Sequence, residues 1–149
     1  CLHHSKNPIK VLKNISKKMI KKGGIVLINE PETSFFFKLF LDLFNHERYD
    51  DNIKNSKYKN FWYENNSTGK ILFSKKKIND IFLSDYKIVE NDLSEFLIFL
   101  NSSGNGVNTP YIPMNNFFLK ILEYFDKILV YLIPSIFALN RKVVLKKIN

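Results

Sequence analysis

The sequence contains one cysteine, five glycines and only two arginines, and these shortages exclude several classes of protein. A single cysteine, Cys1, supports neither an internal disulfide framework nor a cysteine-based zinc site, so a reducing, cytoplasmic setting is expected. No long apolar run resembles a signal peptide. Basic residues give a net charge of +9, but only Arg48 and Arg141 are arginines. Because base and phosphate recognition favours arginine, the charge favours solvated lysine surfaces and no specific nucleic-acid site, with a basic nucleic-acid binder as the alternative.

Apolar residues, by contrast, are abundant. Hydrophobic residues make up 45% of the chain and aromatic residues 15%, which indicates a folded globular protein and argues against disorder. A length of 149 residues suits one domain with a hydrophobic core.

Residues 1–31 have the pattern of a loop, an amphipathic helix, a glycine turn and a buried strand. Asn7 is a suitable N-cap, and Pro8 suits the first helical turn. Apolar residues then recur near helical spacing with lysines between them, and the first glycine of a Gly-Gly pair can end the helix. Residues 25–28 are all apolar, which predicts a strand covered on both faces, as in a parallel sheet. Pro31 ends that strand.

The elements that carry a family resemblance are Leu2-His3-His4, Pro8, the periodic helix, Lys22-Gly23-Gly24, the apolar strand and Glu30-Pro31. In this order and spacing they resemble the second half of a class I S-adenosylmethionine-dependent methyltransferase. A looser match covers residues 73–90 and 137–147. The resemblance implies an α/β fold: the C-terminal half of a Rossmann-like methyltransferase sheet, with flanking helices and a terminal antiparallel strand.

The resemblance also implies a reaction, the transfer of a methyl group from S-adenosyl-L-methionine to a small-molecule or lipid-like acceptor. A hydroxyl or amine acceptor calls for a general base, and histidine is the usual residue near neutral pH. Family residues at the position of His3 and His4 line the active site. Both are therefore catalytic candidates, with His4 the favoured base. Alternatively, one histidine caps the local turn and the other is exposed to solvent.

Five residues are candidates for binding the acceptor: Asn29, Glu30, His46, Trp62 and Tyr63. The first two follow the predicted strand, at the end where α/β folds bind ligands, and the others lie in a long polar loop over residues 45–69. The alternatives are a plain strand-terminating turn for the first pair and aromatic anchors for the loop. No metal site is expected, because adjacent carboxylates such as Asp50-Asp51 are usually solvated or ion-paired in a lysine-rich loop.

The part of the family that holds the cofactor has no counterpart in this sequence. The family uses a glycine-rich turn after its first strand and an acidic residue ending its second. Here Gly104 and Gly106 lack a third glycine and a preceding strand. The cofactor is therefore expected to bind mainly to residues upstream, and this chain alone is expected to be inactive. Because the first residue is not Met, a fragment of a longer methyltransferase is expected. The alternative is a truncated, noncatalytic interaction module with the same half-fold.

The predicted layout is one partial methyltransferase domain in three parts. Residues 1–31 form a helix and a central strand, residues 32–72 a helical or loop insertion, and residues 73–149 the C-terminal strands and helices. Helices are expected over residues 34–44 and 74–83 and for about fifteen residues from Asn115, and strands over 86–90 and 136–145. Without the rest of the sheet, the first strand would lie at an unpaired edge.

The most hydrophobic segment, residues 117–139, is interrupted by four charged residues and a proline: Lys120, Glu123, Asp126, Lys127 and Pro134. These residues argue against a transmembrane span. Packing against the sheet is the expectation, through Phe118, Ile121, Leu122, Phe125 and Leu129. The alternatives are peripheral contact with a membrane and a cover over a greasy substrate.

Overall fold

The computed structural model describes residues 2–18, 20–45, 47–74, 84–100 and 112–148. They form a mixed α/β structure around a three-stranded sheet with the order β1-β3-β2, where β1 is Ile25–Pro31, β2 is Tyr86–Ser94 and β3 is Asn140–Lys147. Strand β3 is antiparallel to both neighbours, so β1 and β2 run in the same direction.

Strand β1 lies at the edge of the described sheet, as the sequence predicts for this chain without the rest of the sheet. The parallel pairing predicted for this strand is not present among the described strands, where β1 pairs only with antiparallel β3. The apolar run contains no information on its neighbour, because β3 lies more than 100 residues away in sequence. The C-terminal strand is antiparallel, as predicted, and it lies between the other two strands.

The first helix, α1 (Pro8–Lys18), begins as its sequence predicts. The side chain of Asn7 accepts a hydrogen bond from the backbone N–H of Lys10 at 2.9 Å, and Pro8 occupies the first turn. Gly23 adopts a φ of 82°, the left-handed conformation expected of a glycine that ends a helical segment. The turn at this glycine leads into β1.

Helix α2 (Phe35–Phe40) follows β1 and continues into a π-helical turn, Leu41–Asn45, which confirms a helix in this region. The segment predicted as a long loop, residues 45–69, contains a 3₁₀ turn, Ile53–Lys57, and leads into helix α3, Thr68–Phe73. The remaining helices are α4 (Leu97–Leu100), α5 (Asn116–Leu132) and α6 (Pro134–Phe137). Three predicted features lie wholly or mostly outside the described residues: the helix over 74–83, the loop over 101–108 and His46.

Two hydrophobic clusters hold the elements together. The first joins the sheet to α1, α3 and the N-terminal 3₁₀ turn, through Leu2, Leu12, Ile28, Phe61, Trp62, Ile71, Leu72, Phe73, Tyr86, Val143 and Leu145. The second joins α2, α5 and the chain around α6, through Phe37, Leu41, Phe96, Val130, Ala138 and Leu139. The first cluster covers one face of the sheet. On the other face Leu27 is 70% exposed and Val89 is 58% exposed, so that face is partly open.

Helix α5 begins where its sequence predicts but packs differently from its prediction. The side chain of Asn115 accepts hydrogen bonds from the backbone N–H groups of Phe117 and Phe118. The buried residues of α5 are Asp126 and Val130, whereas Phe118, Ile121 and Phe125 are exposed. The prediction that the apolar positions pack on the sheet is therefore wrong for these three residues.

Candidate functional site

The carboxyl end of β1 holds the N-terminal 3₁₀ turn, Leu2–His4, which we call the His turn. Glu30 is the residue that holds it. Its Oε1 accepts the backbone N–H of Leu2 at 2.5 Å, and its Oε2 accepts the backbone N–H of His3 at 3.3 Å. The same Oε2 lies 2.6 Å from His3 Nδ1. One carboxylate thus binds both the backbone and the imidazole ring of the turn.

The Glu30 carboxylate is removed from solvent, with a side-chain exposure of 0%. Buried carboxylates require hydrogen-bond partners, and the His turn supplies them. Glycine at position 69 makes the close packing possible: a Cβ there would lie 2.7 Å from Glu30 Cβ and 3.2 Å from the carbonyl oxygen of Pro31. Strand β1, helix α3 and the His turn therefore meet at Glu30.

The two histidines differ in their surroundings. His3 is mostly buried, with 14% of its side chain exposed, and its Nδ1 is engaged by Glu30. His4 is exposed, and its ring lies against that of His3 with the centroids 4.0 Å apart. A hydrogen bond from His3 Nδ1–H to the carboxylate leaves Nε2 as the proton-accepting nitrogen. The structure therefore orients His3, whereas the sequence favours His4 as the base.

The four predicted acceptor-binding residues that the structure describes are not gathered around one cavity. Asn29 is exposed on β1, and Glu30 is occupied by the His turn. Trp62 is buried in the first hydrophobic cluster together with Leu2, which matches its alternative interpretation as a loop anchor. Tyr63 is partly exposed, and the ammonium group of Lys6 lies 5.9 Å from the centre of its ring. Acceptor contact by these four residues stays a prediction.

A groove of about 310 Å³ runs between α1 and β1, beside the His turn. Apolar side chains make up most of its lining: Leu2, Val11, Leu12, Ile15, Val26, Leu27 and Ile28. Ser5, Asn29 and Glu30 contribute the polar part. The groove follows the side of the sheet where β1 lacks a described neighbour. Its position therefore suits an additional strand at least as well as a small molecule.

A larger groove of about 720 Å³ lies between β2 and α5, and its lining includes several charged residues: Asp92, Glu95, Glu123, Asp126, Lys127 and Lys142. Burial raises the pKa of the half-buried Glu95 carboxyl despite a hydrogen bond from Asn140, and the charge of Asp126 adds to the rise. Asp126 is committed to structure, since it accepts the backbone N–H groups of Phe96 and Leu97. None of the predicted site residues lines this groove.

An ion-paired cluster lies just beyond β1, centred on Asp51. Lys38 Nζ and Lys70 Nζ lie 2.5 Å and 3.1 Å from Asp51 Oδ2, while the hydroxyls of Thr33 and Ser67 donate to Oδ1. Burial opposes ionisation of Asp51, but the hydrogen bonds from Lys38 and Ser67 and the charge of Lys70 outweigh it. The pKa of Asp51 consequently lies well below its usual range. The ion pairing foreseen for Asp50-Asp51 is thus present at Asp51.

Asparagines organise the loop that leads to this cluster. Asn65 is fully buried; its side chain accepts the backbone N–H groups of Asp50 and Ser67 and donates to the carbonyl of Asp50. Asn66 donates to Glu47 and to the carbonyl of Arg48. In the described residues 47–74 the loop is therefore ordered by its own side chains, which brings α3 against Glu30.

Sequence reasoning did not find Gly69 or the buried pair of Glu32 and Arg141. Arg141 Nε lies 2.6 Å from Glu32 Oε2, and its Nη1 donates to Asn91 Oδ1 at 2.6 Å, which links β3 to the residue after β1 and to β2. Only the rarity of arginine was a signal for this pair. The sequence around Gly69 gives no sign of its role. A side chain at this position would collide with Glu30, which is 39 residues away in sequence.

Comparison of the chain with protein-family models, with curated protein sequences and with solved structures gives no significant match.

Proposed function

We propose that this chain forms the C-terminal portion of a methyltransferase that uses S-adenosyl-L-methionine to methylate a small-molecule or lipid-like acceptor. The observation that carries the proposal is the buried Glu30 carboxylate, which holds His3 by its backbone and by its ring at the carboxyl end of β1. In α/β folds this end of the strands is where ligands bind. The same residues carry the family resemblance of the sequence.

The direction of the strands is compatible with this proposal. Strands β1 and β2 run in the same direction, and only β3, the last in sequence, runs against them. A methyltransferase sheet also ends with an antiparallel strand. If further strands paired with the free edge of β1, the described sheet would be one end of a larger, mixed sheet. We propose the Rossmann-like half-fold on this basis.

The chemistry at the His turn is proton transfer. Methylation of a hydroxyl or an amine releases a proton, and a positioned neutral imidazole can accept it. Glu30 fixes the ring of His3 through Nδ1, so Nε2 is free to take the proton while the carboxylate stabilises the imidazolium that results. We propose His3 as the base and Glu30 as its positioning residue, with His4 as an exposed neighbour of the ring.

The described residues do not form a binding site suited to the cofactor. The groove beside β1 is lined mainly by apolar side chains, and no glycine-rich turn joins a strand to a helix within the described ranges. A nucleoside with a charged sulfonium needs polar partners for its ribose and its amino acid group. We therefore propose that residues outside this chain hold S-adenosyl-L-methionine, and the proposed chemistry of His3 includes no step on the cofactor.

The open edge of β1 favours a second candidate function, an interaction module that pairs with a strand of another protein. Ile25 and Leu27 are exposed on β1 and carry no charge. Edge strands that must stay single usually carry charges, prolines or bulges, and Ile25 to Asn29 have none of these. This candidate uses the same half-fold without catalysis, so it predicts no role for His3.

A methyl-transfer assay on the gene product at its natural length tests the proposal. Radiolabelled S-adenosylmethionine is supplied with hydroxyl, amine and lipid-like acceptors. With an accepted substrate, His3→Asn should lower kcat by about a hundredfold, because it removes a positioned general base. His4→Asn is the matched control and should leave kcat within about threefold, since its ring has no partner comparable to Glu30.

Three outcomes separate the parts of the proposal. A kcat that falls about a hundredfold in His3→Asn while His4→Asn stays within about threefold of the wild type supports His3 as the base. A large loss of kcat in His4→Asn but not in His3→Asn would identify His4 as the base. The methyltransferase proposal would then still hold. A gene product that neither binds S-adenosylmethionine nor transfers its methyl group overturns the function and favours the interaction module.

A further inference from the structure

The outer face of α5 carries a stripe of aromatic and apolar side chains that the described part of the chain leaves uncovered. Phe117, Tyr124 and Tyr131 are spaced seven residues apart, close to two helical turns, so they lie on one face. They are 68%, 65% and 86% exposed. A parallel row at the same spacing is also exposed and consists of Phe118, Phe125 and Leu132. We call these six residues the aromatic stripe.

The aromatic stripe is not what attaches α5 to the protein. The opposite face does this, because Asp126 accepts the backbone N–H groups at the start of α4 and Val130 packs in the second hydrophobic cluster. An ordinary surface helix turns polar side chains to water on its outer face. A continuous exposed apolar stripe instead marks a surface that another phase or molecule covers.

The charges of α5 lie along one border of the stripe. At about 100° per residue, Lys120, Glu123 and Lys127 fall within one narrow arc beside the first row. The two lysines outnumber the one glutamate, which pairs with Lys127 at 2.6 Å. Lysines at such a border can bury their methylene stems and keep the ammonium group among headgroups. The whole chain, with these residues included, carries a net charge of +9, which attracts an anionic surface.

The composition of the stripe distinguishes between a bilayer and a second copy of the chain. A coiled-coil seam between two helices is built from Leu, Ile and Val. Here five of the six residues are Phe or Tyr, with the exposed Ile121 between the two rows, and such aromatic faces, with lysines beside them, are typical of helices that lie in a membrane interface. Among the helices that the structure describes, none combines the length and apolar content that a bilayer crossing requires.

We propose that α5 docks on the surface of an anionic bilayer, with its axis parallel to the membrane plane and the aromatic stripe at the boundary of headgroups and acyl chains. The two tyrosines place their rings at that boundary with their hydroxyls in the polar layer. The proposal is independent of the methyltransferase proposal, because it uses no residue of the His turn. Membrane docking can therefore fail or succeed without changing the chemistry proposed for His3.

Vesicle binding by the 149-residue chain tests the proposal. Vesicles of phosphatidylcholine alone are compared with vesicles that also contain phosphatidylglycerol. Binding is expected to the anionic vesicles and to weaken with salt. The double variant Phe117→Ser/Tyr124→Ser should lower the partition coefficient about tenfold or more, since it removes two apolar anchors. Tyr58→Ser is the matched control, an exposed tyrosine directly after the 3₁₀ turn at Ile53–Lys57, and should bind as the wild type does.

A fluorescent variant adds a readout that simple electrostatic adsorption would not change. In Tyr124→Trp the new indole should shift its emission to shorter wavelength on anionic vesicles and be quenched by brominated acyl chains. No binding to anionic vesicles at low salt, or equal binding by the double variant, overturns the proposal. The proposal is also overturned if light scattering shows a concentration-dependent dimer of the wild type that the double variant does not form. In that case a second copy of the chain covers the stripe.

Discussion

Among single residues, Glu30 is the one on which the candidate site depends. Its neighbours in sequence explain only its position at the end of β1. Its role comes from the His turn, 27 and 28 residues earlier, and from Gly69, 39 residues later. The carboxylate accepts hydrogen bonds from two backbone N–H groups and from a ring N–H. Burial would otherwise leave these donors and the carboxylate itself without partners. The site is therefore also a folding contact.

Glu30→Gln should destabilise the protein by about 1–3 kcal/mol, because an amide offers one acceptor oxygen where the carboxylate offers two, in a site closed to water. Urea unfolding followed by circular dichroism measures the change. Glu90→Gln is the matched control: Glu90 is exposed on β2 and pairs with Lys142, so the unfolding midpoint should stay where it is. Equal midpoints for Glu30→Gln and the wild type would show that the His turn does not depend on this carboxylate.

Asp51 should make stability depend on pH in the acidic range. Its pKa in the folded protein is lowered, so its contribution to the free energy of unfolding is present above the ordinary aspartate pKa of about 4 and is lost as the pH falls. Asp51→Asn should therefore lower the melting temperature at neutral pH, and the difference from the wild type should shrink steadily below about pH 4. A difference that stays constant from pH 7 to pH 3 would contradict this account.

At the scale of elements, the two edges of the sheet differ in a way that bears on both candidate functions. Strand β2 has a register shift between Ile88 and Glu90, and it carries several charges. Such features discourage pairing with another chain. Strand β1 pairs with β3 in unbroken register. Its Leu27 is exposed, and residues 25–28 around it carry no charge. The β1 edge is the one suited to receive another strand.

This contrast predicts different effects for the same substitution on the two edges. Leu27→Lys should suppress concentration-dependent association of the 149-residue chain, because a charge on an edge strand disfavours intermolecular pairing. Val89→Lys, on the bulged edge, is the control and should leave association unchanged. Sedimentation velocity at several protein concentrations measures both. A wild-type chain that stays monomeric at all of them would contradict the interpretation of β1 as a pairing edge.

Elements that depend on local chemistry were predictable from the sequence. The cap at Asn7, the helix that starts after Asn115, the left-handed Gly23 and the strand over 86–90 are all confirmed. The orientation of α5 was not predictable, since its apolar residues outnumber the places available against the core. Asp126 decides which face points inward by capping α4. A charged residue inside an apolar pattern usually indicates the solvent face, and here it marks the buried one.

At the scale of the whole molecule, the sequence predicted the class of fold but not the order of its strands. Both α/β character and an antiparallel last strand are present. The position of β3 between β1 and β2 depends on contacts between distant segments, such as Arg141 with Glu32 and Asn91, and no local pattern encodes them. Of the candidate site, the sequence found His3 and Glu30 separately, and only the structure joins them.

Calorimetric titration with S-adenosylmethionine tests the central claim most directly, because it requires no knowledge of the acceptor. The 149-residue chain and the gene product at its natural length are titrated in parallel. We predict no useful affinity for the chain alone and a dissociation constant in the micromolar range for the natural-length product, unchanged by His3→Asn. Absence of binding by the natural-length product would contradict the methyltransferase proposal, and micromolar binding by the chain alone would contradict the claim that the cofactor is held by residues outside it.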